Sequence, residues 1–167
     1  MKMISTLINI YKKTEAELKA FVAEKLKANY TDITVDDGFV FAKGTFPVLL
    51  VAHLDTVHKE TPKSFVYSVD GDVISSPQGI GGDDRNGVFS VLEVSKRYNC
   101  SVLFCEQEEV GGKGAEKFIE SEISNDLEFN YIIEFDRKGS NDAVFYDCDN
   151  PEFTEFITKA FYKEEWG

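Results

Sequence analysis

Val48-Leu49-Leu50-Val51-Ala52-His53-Leu54-Asp55 is an apolar run that ends in a histidine and an aspartate one residue apart. An unbroken run with no alternation is what a strand covered on both faces looks like, as in a parallel sheet between helices. The run predicts a core strand over 48–52, with His53 and Asp55 released at its carboxyl end. Three further acidic segments stand where the chain is expected to leave strands or enter a helix. They are Gly82-Asp83-Asp84-Arg85, Gln107-Glu108-Glu109 and Glu134-Phe135-Asp136. A histidine and spaced carboxylates gathered at one sheet edge are what a two-metal hydrolytic site requires.

The flanking sequence alternates helix and strand signals. Residues 14–29 predict an amphipathic helix, with Thr14 and Glu17 at capping-box spacing and Leu18, Phe21, Val22 and Leu26 on one face. Asp36-Asp37-Gly38 reads as a turn between short strands at 33–35 and 39–42. Phe65–Val69 and Val73–Ser75 flank Asp70-Gly71-Asp72 as a hairpin. A helix is expected at 86–98, with Val88, Val91, Leu92 and Ser95 inward. Ser101–Cys105 predicts a second buried strand. Gly111-Gly112-Lys113-Gly114 predicts a turn into a helix over 115–121. Core strands are expected at 131–135 and 143–146, and a last helix at 152–163. The fold class that follows is α/β, a three-layer α/β/α sandwich with a mixed, mainly parallel sheet. Ligands in such sheets bind beyond the carboxyl ends of the strands, where His53, Asp55, Glu108, Glu109 and Asp136 are expected. Asp83, just ahead of a helix, belongs to the same edge.

The 167 residues carry a net charge of −12 with 43% hydrophobic content. That is enough for one domain with a sizeable core. The negative charge argues against nucleic acid or an anionic membrane as partner. Cys100, Cys105 and Cys148 form no C-x-x-C pair, and an odd number of cysteines argues against a disulfide framework. No stretch spans a bilayer and no cleavage site follows the first residues. The expectation is a soluble, cytoplasmic protein.

Ala52-His53-Leu54-Asp55-Thr56-Val57, Gly82-Asp83-Asp84-Arg85-Asn86-Gly87, Glu108-Glu109-Val110-Gly111-Gly112-Lys113-Gly114-Ala115 and Phe135-Asp136 resemble, in order, the motifs of the co-catalytic di-zinc exopeptidase clan. That clan includes the zinc aminopeptidases, tripeptide aminopeptidase, glutamate carboxypeptidase and acetylornithine deacetylase. The segment with the glycines looks especially like tripeptide aminopeptidase.

The resemblance implies a role for each position. His53 and Asp136 bind one metal, Asp83 bridges two, and Glu109 binds the second. Asp55 holds the other ring nitrogen of His53, and Glu108 is the general base. The Asp83–Asp84 peptide is implied to be cis. Two zinc ions are implied, although a histidine with carboxylates also suits manganese or cobalt. Chemistry of this kind is attack by a metal-bridging hydroxide on a peptide or small amide substrate, with Glu108 shuttling the proton.

Each residue also has a plainer reading. His53 could be a satisfied core histidine, Asp83 and Asp84 helix caps, and Glu108 and Glu109 an exposed loop. Asp136 could be a partner for Arg137 or Lys138, and Glu134 projects to the same side of its strand as Asp136. Arg85 is expected to pair with nearby acids. The clan pattern also has a late histidine beside the second glutamate, and none follows His58 here. The expectation is a single catalytic-type domain over 1–167, without a lid or dimerisation insert, whose C-terminal part is missing. His58, Cys148 or water are the alternatives for that position. The competing reading is a metal-binding domain with weak or no catalysis.

Overall fold

The apolar run at 48–52 forms the centre of a sheet. The computed structural model describes residues 2–68, 73–136, 138–139, 143–145 and 150–161. Contacts divide the chain into two units, 1–136 and 137–167. In the first unit the elements are α1 (Lys2–Tyr11), α2 (Glu15–Leu26), β1 (Ile33–Asp36), β2 (Phe39–Ala42), β3 (Phe46–His53), β4 (Val66–Tyr67), β5 (Ile74–Ser75), α3 (Gly82–Ser95), β6 (Cys100–Cys105), α4 (Lys113–Glu120) and β7 (Tyr131–Glu134).

Five strands run in the order β1-β2-β6-β3-β7, and β4 pairs with β5 in a separate ribbon. β3 is parallel to both β6 and β7, whereas β2 is antiparallel to β1 and β6. Four of the five strands, β1, β6, β3 and β7, point the same way and β2 is reversed, so the sheet is mixed and mostly parallel, as the sequence predicts. The step from β3 to β6 and the return from β6 across β3 to β7 run in opposite directions. Right-handed crossovers then place α3 and α4 on opposite faces. The two core clusters agree with that. One joins Leu18, Val22 and Leu26 of α2, Val88, Val91 and Leu92 of α3, Leu50, Ala52 and Phe104. The other joins Phe39, Phe41, Leu49, Leu103 and Phe118 of α4. Alternate residues of β3 face each cluster, so the strand is covered on both sides.

Local signals hold where they carry a mechanism. Thr14 caps α2, and its side chain and that of Glu17 complete the capping box. Leu18, Val22 and Leu26 are buried on the predicted face. Cys100 and Cys105 are free and buried in β6, and burial pushes the Cys105 thiol up to about 12.

Two expectations change, and one element is additional. Residues 2–11 form a helix that carries no cap signal in the sequence; it buries Ile10 and Tyr11 and packs on α3. β7 exists, but among the described residues it is an edge strand pairing with β3 and not a core strand: Ile132 is 67% exposed. An apolar run specifies strand conformation, while position in the sheet depends on which strands arrive beside it. The strand expected at 143–146 is absent over the described residues 143–145, and Tyr146 lies outside the described residues. The hairpin turn at 70–72 lies outside them as well.

In the second unit α5 spans Pro151–Phe161. Proline occupies the first helical position, where no backbone donor is needed, and the Asn150 side chain accepts from the Phe153 amide at 2.9 Å.

Gly114 opens α4 against backbone. A Cβ there would stand 2.3 Å from the Gly38 carbonyl oxygen and 2.4 Å from that of Glu106. Neither can rotate away. Gly114→Ala is expected to cost about 1–3 kcal/mol, read as a lowered urea midpoint at unchanged m-value.

Candidate metal centre

The site is assembled at the carboxyl ends of three neighbouring parallel strands. β3 lies between β6 and β7, with His53 opposite Cys105 and Val51 opposite Glu134. His53 closes β3, Glu108 and Glu109 follow β6, and Asp136 follows β7. Asp83 and Asp84 come from the entry to α3. Their joining peptide is cis, and both have non-helical backbone angles within that helix. The reversal of strand order on either side of β3 makes this edge the crevice at which α/β sheets bind ligands.

His53 is the hub and is 1% exposed. Its Nδ1 is 3.1 Å from Asp55 Oδ1. Its Nε2 is 3.1 Å from Asp83 Oδ1, 3.7 Å from Asp136 Oδ2 and 3.8 Å from Glu108 Oε2. One ligand atom each from His53, Asp83 and Asp136 lie within 4.8 Å of one another. Atoms bound to one zinc ion at about 2.0–2.1 Å in a tetrahedron stand roughly 3.3 Å apart. The two His53 distances bracket that spacing, so these three residues fit a single cation.

Asp55 organises two segments at once. Besides His53, it accepts the backbone amides of Glu108 and Glu109, each at 3.0 Å. The bond to Nδ1 leaves the Nε2 lone pair of the neutral imidazole facing Asp83 and Asp136. Asp84 turns away from that group. Its carboxylate accepts the backbone amides of His53 at 3.2 Å and Gly87 at 2.9 Å, tying the start of α3 to the end of β3. A Cβ on Gly87 would stand 2.1 Å from Asp84 Oδ1, so glycine is what admits this carboxylate. Arg85, expected to pair with acids, instead donates through Nη1 to the carbonyls of Ile10, Tyr11 and Lys13. It secures the α1–α2 junction, and its Nε is buried without a hydrogen-bond partner among the described residues.

The charges are strongly coupled. Burial pulls the His53 imidazole down, but the Asp55 hydrogen bond and the charges of Asp84, Asp55 and Asp136 outweigh it and push it up to about 9. Burial raises Asp84 to about 8 against the pull of His53. Burial, and then the neighbouring Asp83 carboxyl, push Asp136 well above the usual carboxylate range. Burial would raise Asp55 too, yet the His53 ring and the Glu108 and Glu109 amides hold it below its ordinary value. Without a cation the cluster therefore retains protons. A divalent cation would replace them and relieve the repulsion between Asp83 and Asp136.

Of the residues singled out in the sequence, His53, Asp55, Asp83, Glu108 and Asp136 come together within a few hydrogen-bond lengths. Glu109 is held next to them through its backbone, but the group of three ligand atoms does not include its side chain. Asp136, not Glu134, belongs to that group. Asp84 meets its plainer reading in part, since it accepts the Gly87 amide at the start of α3, but its bond to the His53 amide and the contacts of Arg85 reach residues remote in sequence that the motif does not announce.

Among solved structures, a tripeptidase from Staphylococcus aureus superposes with a TM-score of 0.64 at 21% identity, over 85% of this chain and 45% of that one. Aminopeptidase PepT from Bacillus cereus gives 0.62 at 18% identity, over 84% and 44%. The chain has the fold of a peptidase domain. It spans less than half the length of either neighbour. No protein-family profile and no curated protein matches the sequence. No helix among the described residues is long and apolar enough to cross a membrane.

Binding of a cation by His53 requires an unprotonated Nε2. Below about pH 9 the metal-free imidazole holds its proton. Zinc binding near pH 7.5 is therefore expected to release about one proton or more, and affinity should rise as pH approaches 9. Calorimetry in buffers of different ionisation enthalpy measures both; binding without proton release, or weakening with rising pH, would contradict the assignment.

Proposed function

We propose that this chain is a metal-dependent peptidase or amide hydrolase of the aminopeptidase-like kind, related to the co-catalytic zinc exopeptidases. The observation that carries the reading is the convergence of His53, Asp83 and Asp136 with Glu108 against one imidazole. The shared fold with a tripeptidase and an aminopeptidase supports it.

His53, Asp83 and Asp136 would hold zinc, or manganese or cobalt, and Glu109 with Asp83 would hold a second ion. When bound, such ions polarise a carbonyl and make water acidic enough to attack near neutrality. The chain's own groups then divide the remaining work. Asp55 keeps His53 in the tautomer that presents Nε2. Glu108 accepts a proton from the attacking water and delivers it to the departing amine nitrogen. Its position beside Nε2 places it within one water's reach of the ligand group. Asp83 and Glu108 are exposed enough for a substrate to approach from solvent. The substrate is a peptide or small amide, and a soluble cytoplasmic setting fits the acidic composition.

One observation favours a second reading, metal binding without efficient turnover: the ligand group has three residues, and Glu109 stands outside it. Assays on aminoacyl-anilides with zinc, cobalt or manganese separate the two. Glu108→Ala is expected to lower turnover by a factor of about 10²–10⁴ while metal content, read by atomic absorption, stays the same. Turnover that survives this substitution would remove Glu108 as the base; a wild-type chain that binds metal but hydrolyses nothing would favour the second reading.

A further inference from the structure

Glu108 and Glu109 belong to a short loop closed on one side by its own backbone, the amides of Gly111 and Gly112 donating to the Glu108 carbonyl at 2.9 Å each and that of Lys113 to the Gln107 carbonyl at 3.2 Å, while its entry leans on side chains from elsewhere in the chain. Gln107 has a positive φ of 59°, the one such non-glycine among the described residues. A left-handed residue of this kind needs outside support. Three consecutive backbone amides, those of Gln107, Glu108 and Glu109, each donate to a carboxylate. Two go to Asp55. The first goes to Glu15 Oε1 at 3.1 Å, from a residue 92 positions away in the first turn of α2.

We infer that Glu15 is a positioning residue for the hydrolytic site: its carboxylate fixes the Gln107 turn and thereby aims Glu108 at His53. The inference rests on the role proposed above for Glu108, but its geometry stands without it.

The surroundings disfavour a charge there: burial, most of all, holds the Glu15 carboxyl above its ordinary value, Asp55 and Glu106 raise it further, and the Gln107 amide and Lys19 offset this only in part. Lys19, one turn along α2, pairs with Glu106 at 2.5 Å and donates to the Asp36 carbonyl at 2.6 Å. Glu106 in turn accepts the Gly38 amide at 3.1 Å. The residue before the turn is thus anchored to α2 and the β1–β2 hairpin, and Glu15 supplies the next hold. Without Glu15 the exposed Gln107 amide is left to solvent, and the left-handed turn loses the protein bond that offsets its strain. Asp55 and the loop's own backbone bonds would then have to orient the two glutamates.

The bond needs an acceptor oxygen and not a charge. Glu15→Gln keeps that oxygen, whereas Glu15→Ala removes it. Glu17→Ala serves as the control, because it loosens the same helix end without touching Gln107. Residue-resolved amide hydrogen exchange on the metal-free chain reads the clamp directly. In Glu15→Ala the amides of Gln107, Glu108 and Glu109 should exchange faster together, by about tenfold, the factor set by one ordinary hydrogen bond. Glu15→Gln and Glu17→Ala should leave them near wild type. In the metal-loaded chain kcat should fall about tenfold or more in Glu15→Ala with KM unchanged, and recover in Glu15→Gln. Faster exchange confined to Gln107, or the same loss in Glu17→Ala, would overturn the inference. Should the wild type show no turnover, the hydrolase reading fails, and the exchange rates still decide whether Glu15 shapes this loop.

Discussion

Asp55 accepts three donors from two distant segments: the His53 ring at 3.1 Å and the amides of Glu108 and Glu109 at 3.0 Å each. Bonds to a charged acceptor are roughly twice as strong as neutral ones, and burial strengthens them further. Asp55 is only 9% exposed. Leaving three such donors unmatched in that place would be costly, so the carboxylate fixes the end of β3 and the loop after β6 in one relative position. The imidazole tautomer, the reach of Glu108 and the placement of Glu109 all follow from it.

The rest of the molecule supplies what that interaction requires. The β6-β3-β7 order puts His53 between two strand ends, and crossovers to opposite faces leave the edge open. Asp84 binds the His53 amide and the Gly87 amide, so it locks α3 to β3 while Asp83 faces the ring. Two adjacent aspartates thus do different work, one in the protein interior and one toward solvent. Arg85 adds a tie to the α1–α2 junction, and α2 returns the favour through Glu15. The site is held by a cycle of polar contacts between α2, the loop after β6, β3 and α3, laid over the hydrophobic core.

The sequence makes the strand ends legible. The apolar run at 48–52 names a buried strand, and residues just past such a strand share one edge with those past its parallel neighbours. That logic points to His53, Asp55, Glu108, Glu109 and Asp136 alike, with Glu134 beside Asp136, and the resemblance orders their roles. What stays hidden depends on distance along the chain. The Asp84 contact to His53 spans 31 residues and the Glu15 contact to Gln107 spans 92. No local pattern encodes either. Gly87 offers a faint hint, since a glycine inside a helix costs stability and suggests a close approach. The helix over 2–11 escapes because the sequence carries no cap signal for it; it packs against α3. The exposure of β7 escapes because apolar content does not tell an edge strand from a central one.

Everything proposed for this site requires that His53, Asp83 and Asp136 together hold a divalent cation. Anomalous diffraction at the zinc absorption edge, from crystals grown with zinc, tests it directly. The account predicts a peak within about 2.0–2.2 Å of His53 Nε2 and of a carboxylate oxygen of each aspartate. Zinc bound elsewhere while these three residues keep only one another and water would contradict it.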